Sequence, residues 1–430
     1  MKKLNLLLIS LIMVLPLSAQ IRGNNIVVNV RPDHKDWIYK TGEKAVMYVE
    51  VLKSGTTLSN VNVDIQAGPV LYPDVKKSVT LSDGTMKWDC SMKAPGFYSL
   101  KVTAHVDGKD YEGNCAVGFS PEKIIPATQC PADFDAFWEK ALKEARQYDL
   151  DPTRTLLPER CTKDVNVYEV SFVNNRQGSR IYGILCMPVK PGKYPALLRV
   201  PGAGVRPYGG DVYTASQGAI TLEIGVHGIP VTMKQEVYDR LFEGSLQGYW
   251  ECNLEEPEKN YYKRVVVGAV RSVDYIASLP EWNGISCGVT GSSQGGFLSL
   301  STAALDNRIT FCGVVHDAMC DYESELKGTA GGWPHYFLYS SSKENKARLQ
   351  AKVEGARYYD GVNFARRITC PGWYSFGFND EVVPPTSSYG TYNIVTAPKT
   401  LSLYQKTAHF WYQEQWDEWE EWLLKQMGLR

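Results

Sequence analysis

The stretch Ile285-Ser286-Cys287-Gly288-Val289-Thr290-Gly291-Ser292-Ser293-Gln294-Gly295-Gly296-Phe297-Leu298 passes from a strand pattern to a helix pattern through one glycine-flanked turn. Ile285–Thr290 is a buried-type strand, and Gly296–Leu305 has the composition of a helix. Between them lies a G-x-S-x-G pentapeptide, Gly291 to Gly295. A strand–turn–helix elbow of this kind is too tight for side chains beside its central residue, so small flanking residues have a physical reason. The central serine then projects from the carboxyl edge of a sheet. The helix that follows offers free N-terminal amides, which stabilise negative charge on an attacked carbonyl oxygen. Ser293 is therefore the candidate nucleophile. Ser292 is one residue out of register with the flanking glycines.

Outward from the elbow, strands alternate with helices. Tyr194–Val200, Ala219–Ile224, Thr310–Val315, Trp373–Phe376 and Leu401–Tyr404 are near-continuous apolar runs. In Tyr262–Ser278, Val266, Ala269, Val270, Val273 and Ala277 share one helical face. A last helix carries Trp416, Trp419, Leu423 and Met427 on one stripe, and Phe134–Arg146 opens the region with Asp133 as its expected N-cap. This pattern predicts a mostly parallel central sheet covered by helices. Together with the elbow it is an α/β-hydrolase fold over residues 121–430.

Residues 21–120 have a different pattern. Ile26–Val30, Ala45–Val51, Val61–Ile65, Ser78–Leu81, Thr85–Met92, Phe97–Val106 and Tyr111–Phe119 are short runs rich in β-branched and aromatic residues. Turn clusters such as Ser82-Asp83-Gly84 separate them. Their regular spacing predicts an all-β, immunoglobulin-like sandwich with no catalytic cluster of its own. Pro121–Gln129 reads as a linker.

A serine nucleophile needs a base, and the base needs an orienting carboxylate. In this fold both follow the serine along the chain, acid before histidine. His409 comes after the strand Leu401–Tyr404 and before the last helix, where a loop reaches back over the sheet edge. His316 and His335 are the alternatives, His316 as a group supporting the site from behind. Asp380 follows Trp373–Phe376, where the orienting acid belongs, with Glu381 and Asp317 as alternatives. Two backbone N–H groups must hold the oxyanion. Gln294 follows the nucleophile and supplies one; the glycine-rich loop Pro201-Gly202-Ala203-Gly204 supplies the other, assigned to Ala203 because Pro201 has no N–H.

The 46 basic and 47 acidic side chains nearly cancel, so no basic excess points to nucleic acid. Aromatic residues make up 12% of the chain, as in sugar-handling proteins and also in large cores. Met1-Lys2-Lys3 followed by the apolar run Leu4–Leu17 and Ser18-Ala19-Gln20 predicts a cleaved signal peptide, residues 1–19, and a secreted or periplasmic protein. No later run is long enough for a membrane span. Ten cysteines show no metal-site spacing. Cys90 and Cys115, on the apolar phase of two strands, are either a bridge or two buried free thiols.

In this order the residues resemble the acetyl xylan esterase and cephalosporin C deacetylase family, carbohydrate esterase family seven, over about residues 125 to 425. The resemblance rests on Pro131-Ala132-Asp133-Phe134-Asp135-Ala136-Phe137-Trp138, Tyr261-Tyr262-Lys263-Arg264, Ala269-Val270-Arg271-Ser272-Val273-Asp274 and Leu279-Pro280-Glu281. It continues through Val289–Gly296 and through Gly377-Phe378-Asn379-Asp380 ahead of Pro384-Pro385-Thr386. The resemblance places Ser293, Asp380 and His409 at the family's triad positions. It implies hydrolysis of acyl esters on carbohydrate such as acetylated xylan and no cofactor, and leaves a homo-oligomer open; no metal is expected from the residues. The family's oxyanion loop reads His-Gly-Tyr, where its tyrosine limits the site to small acyl groups. Here that stretch is Pro201-Gly202-Ala203, which predicts room for acyl groups larger than acetyl. Where the family carries Arg-Gly-Gln after the next strand, this chain has His227-Gly228-Ile229.

Two other functions fit parts of the pattern. A serine peptidase of the same fold would use the same triad but also a clamp of paired acids for a peptide amine, which the sequence does not offer. A carbohydrate-binding protein without catalysis would have no need of all three triad residues.

Overall fold

The computed structural model describes residues 25–338 and 345–430. The expected signal peptide lies outside the described residues. Residues 26–119 form two sheets. One contains β1 (Ile26–Pro32), β3 (Ala45–Lys53), β4 (Thr56–Thr57) and β7 (Thr85–Cys90). The other contains β2 (Ile38–Tyr39), β5 (Val61–Pro69), β6 (Val75–Leu81), β8 (Gly96–Val106) and β9 (Lys109–Phe119). In β3 and β5 buried residues alternate with more accessible ones, because successive side chains leave opposite faces of a strand. The buried sets of both sheets join in one apolar cluster. Cys90 and Cys115 are buried in it as free thiols, so of the two readings of this pair the structure shows the unbridged one. Burial pushes the Cys90 thiol up to about 12.

The larger sheet has nine strands. These are β10 (Thr153–Leu156), β11 (Val165–Val173), β12 (Arg180–Pro188), β13 (Tyr194–Arg199), β14 (Ile220–Gly225), β15 (Trp282–Ser292), β16 (Phe311–Val315), β17 (Gly372–Phe376) and β18 (Lys399–Leu403). Their order is β10-β11-β12-β14-β13-β15-β16-β17-β18. The first three pairings are antiparallel and the rest parallel. Every residue of β16 and β17 is buried, because parallel strands are covered on both faces. The helix Tyr261–Ser278 is capped by Asn260, whose side chain accepts from the Tyr262 amide at 2.8 Å. It packs between the sheet and the helix Phe134–Ala145, so burial extends beyond the expected stripe to Val265 and Ile276.

Two expectations about helices need correction. Asp133 stands at the N-cap position of Phe134–Ala145 but makes no capping bond. Its carboxylate accepts from the Tyr358 hydroxyl instead. In the last helix, Gln413–Gln426, Trp419 and Leu423 are buried but Trp416 is 44% exposed. Trp416 leans toward Trp411 rather than into the core, with ring centroids 4.6 Å apart.

The front unit is welded to the large sheet. Phe97 of β8 meets Phe378 edge-on at 4.9 Å and Tyr389 at 5.6 Å. Phe376, Phe378 and Tyr389 belong to the same apolar cluster as the sandwich interior. The Pro121–Gln129 segment is not a free linker. Ala127 and Thr128 donate their amides to Asp321, and Gln129 donates to Glu323. Among the described residues no helix is long and apolar enough to cross a membrane.

Candidate active site

β15 ends at Ser292 and the helix Gln294–Leu305 starts at Gln294, leaving Ser293 alone at the elbow. Its backbone sits at φ 63° and ψ −124°, a sparsely populated conformation for a residue with a side chain. The flanking glycines are explained by contact. A Cβ on Gly291 would stand 2.4 Å from the Val200 carbonyl oxygen, and one on Gly295 2.5 Å from the same atom. The elbow can be this sharp only because the end of β13 lies directly against it.

Asp380 and His409 come from the loops after β17 and β18. His409 Nδ1 donates to Asp380 Oδ2 at 2.7 Å. The other carboxylate oxygen, Oδ1, accepts from the amides of Val382 at 2.9 Å and Val383 at 2.8 Å. Three hydrogen bonds to a buried carboxylate leave it one orientation, and that orientation sets the imidazole. His409 then lines a cavity of about 700 Å³ that also contains Ser293, Gly202 and Ala203.

The alternatives fall elsewhere. Glu381 is exposed beside Asp380, and Asp317 is wholly buried, with burial raising its carboxyl to about 6. His335 pairs with Glu325 at 2.9 Å, away from the cavity. His316 lies behind the site as expected of a supporting group. Its ring centroid is 4.9 Å from that of His409, and its Nδ1 is 3.2 Å from Ser292 Oγ. Burial pushes its imidazole down to about 4, so it is neutral at pH 7.

The glycine-rich loop expected to hold the oxyanion is itself held by groups that the sequence analysis missed. Arg206 donates from Nη1 to the Ala203 carbonyl at 2.9 Å and from Nη2 to the Gly202 carbonyl at 3.1 Å. Gly202 is also close to the nucleophile: a Cβ built on it would be 3.7 Å from the Ser293 Cβ. Gln294 does more than present its amide. Its Oε1 accepts from the hydroxyls of Tyr249 and Tyr262, each at 2.8 Å, and its Nε2 donates to the Pro201 carbonyl at 3.3 Å. Tyr249 in turn accepts from the Gly204 amide at 3.2 Å. His227 closes the network, donating from Nε2 to the Gly204 carbonyl at 3.0 Å while Nδ1 accepts from Tyr261 at 2.7 Å. Elbow and oxyanion loop are thus one hydrogen-bonded body. The signal was present in Tyr261-Tyr262 and His227-Gly228, whose partners could not be paired along the chain.

A serine at a strand–helix elbow that borders the same cavity as the histidine of an Asp–His pair is what acyl transfer requires. Residues 122–426 match the family model described as acetyl xylan esterase. The chain belongs to the acetyl xylan esterase family. This esterase is 41% identical over 377 residues to "Acetyl esterase Axe7A" of Xylanibacter ruminicola, covering 86% of this chain and 83% of that protein. Among solved structures, it is similar to the acetyl xylan esterase from Paenibacillus sp. R4. That likeness has 25% identity and a TM-score of 0.61, over 71% of this chain and 98% of the other. Acetyl Xylan Esterase 1 from Thermoanaerobacterium sp. JW/SL YS485 shares the fold at 21% identity and a TM-score of 0.60, over 71% of this chain and 97% of the other. The esterase is a carboxylic ester hydrolase with an α/β-hydrolase fold. Among the described residues no three His, Cys, Asp or Glu side chains gather as metal ligands.

Proposed function

We propose that this esterase removes acetyl groups from acetylated xylan or xylo-oligosaccharides, with Ser293 as nucleophile, His409 as base and Asp380 as orienting acid. The contact between His409 and Asp380 carries the reading, because it leaves Nε2 as the imidazole nitrogen free to act. His409 takes the proton of Ser293 as the serine oxygen bonds to the ester carbonyl carbon. The carbonyl electron pair moves onto oxygen, held by the amides of Gln294 and Ala203. On collapse the bond to the sugar oxygen breaks, the sugar leaves with the proton from His409, and the acetyl group stays on Ser293 as an ester. Water, deprotonated by His409, then releases the acid and restores the serine. Ala203 where the family has tyrosine supports tolerance of acyl groups somewhat larger than acetyl.

The same reading assigns residues 21–120 to a separate all-β unit, residues 121–430 to the catalytic unit and residues 1–19 to an export signal. Acetylated xylan lies outside cells, which fits an exported enzyme. The test is acetate release from acetylated xylan by the full chain and by Ser293→Ala. The wild type should release acetate and react with a serine-directed organophosphate. The variant should lose turnover by about 10⁴-fold or more while unfolding at the same temperature. Wild-type turnover of dipeptide anilides in place of acetylated sugars would assign a peptidase instead.

A further inference from the structure

Beside the main cavity lies a second one of about 280 Å³, and the ring of His409 faces both. Phe410, Trp411, Trp416 and Trp419 line it together with His316, Ser292 and Arg199. Two features set it apart from ordinary core. Its mouth is open, with Trp416 44% and Phe410 49% exposed. Two of the residues that line it each bury a polar atom with no hydrogen-bond partner, His316 Nε2 and Trp411 Nε1. A buried polar atom without a partner costs about 1–3 kcal/mol, which a bound hydroxyl would offset.

We infer that this aromatic cavity holds the sugar ring whose ester oxygen is cleaved, so that the acyl group occupies the oxyanion-loop side. The inference rests on the esterase reading above. The leaving oxygen receives its proton from His409, so the alcohol half of the ester must lie on the histidine side of Ser293. The lining selects a neutral ring. No carboxylate lines the cavity, which disfavours a cation, and Arg199, which does line it, is already paired with Asp211 at 2.6 Å. A pyranose has C–H faces that lie flat on indole rings, and hydroxyls that both accept from Trp411 Nε1–H and donate to His316 Nε2. The volume, at the small end of ligand pockets, suits one ring; further sugars of a chain would run out past Trp416.

The test compares two acetate esters that differ only in the alcohol, a mono-acetylated methyl xyloside and methyl acetate. Trp416→Ala should lower the ratio of kcat/KM for the xyloside over methyl acetate at least tenfold. Trp416→Phe, which keeps a flat face, should recover most of that ratio. An equal fall on both esters, or no change in the ratio, would overturn the assignment. A selective loss on methyl esters of aromatic acids would also overturn it, placing the acyl group in the cavity. Binding separates this inference from the reading it rests on. In Ser293→Ala protein, methyl xyloside should quench tryptophan fluorescence, and Trp416→Ala added to that background should abolish the quench. Quenching without any ester turnover by the wild type would sink the esterase reading alone; turnover without quenching would sink the sugar subsite alone.

Discussion

The Ala116 amide of β9 donates to Asn379 Oδ1 at 2.8 Å, one residue before the carboxylate that orients His409. Asn379 Nδ2 donates in turn to the Lys406 carbonyl at 3.2 Å, three residues before the histidine. One amide side chain therefore joins the front unit, the acid loop and the histidine loop. Asn379→Ala should lower kcat on an aryl acetate about tenfold with little change in KM. It should also cost about 1–3 kcal/mol of stability, because the Ala116 N–H is left buried and unpaired. Asn379→Asp keeps the acceptor for Ala116 but loses the donor to the Lys406 carbonyl, so it should recover stability better than rate. Steady-state kinetics beside thermal unfolding check both.

Arg206 is exposed, yet its guanidinium grips two consecutive carbonyls of the oxyanion loop. Arg206→Ala should leave stability within about 0.5 kcal/mol, as for most surface changes. It should lower kcat by roughly 10-fold, less than the ~100-fold or more expected for loss of a whole oxyanion donor. A rise confined to KM would instead assign Arg206 to substrate binding.

Gly295 has no room for a side chain beneath the Val200 carbonyl. Gly295→Ala should destabilise the protein by about 1–3 kcal/mol as strand and helix are pushed apart. It should also lower turnover, since the same shift moves Ser293. Gly178, at φ 76° with nothing within 4 Å of a built Cβ, offers a control for backbone strain without crowding.

His316 gives stability a defined acid limit. Its imidazole titrates near 6.5 when unfolded and near 4 in the folded protein, where burial disfavours the cation. The unfolded chain thus binds the extra proton first as pH falls. The contribution is full above pH 6.5 and is lost as pH drops toward 4. His316→Gln should flatten this part of the curve by up to about 3 kcal/mol between those limits. Denaturant unfolding at pH 7 and pH 4.5 measures the difference.

The parallel half of the large sheet and its elbow were legible because buried parallel strands are apolar along their whole length and glycine clustering has one steric cause. Ser293, Asp380 and His409 could be placed because loops at one sheet edge follow from strand order. The antiparallel strands β10, β11 and β12 were not anticipated, although Val165–Val173 has the residue types of a strand. They continue the sheet beyond the part that holds the elbow, so the alternation that exposed the parallel core did not extend to them. Trp416 shared the helical period of Trp419 and Leu423, and period alone does not tell a core face from a cavity mouth. Asn379 and Arg206 work by contacts with distant backbone, which leave no spacing to read.

The sharing of Phe97, Phe376, Phe378 and Tyr389 between the front unit and the hydrolase sheet limits how this enzyme can be rebuilt. Cutting the chain near residue 121 would strip one wall from those rings and expose a sticky aromatic face. Grafting the front unit onto a single-domain relative would need the matching acid loop to travel with it. Chimeras made by swapping at the apparent hinge should therefore aggregate, whereas exchanges that also carry residues 376–389 should keep both halves in register.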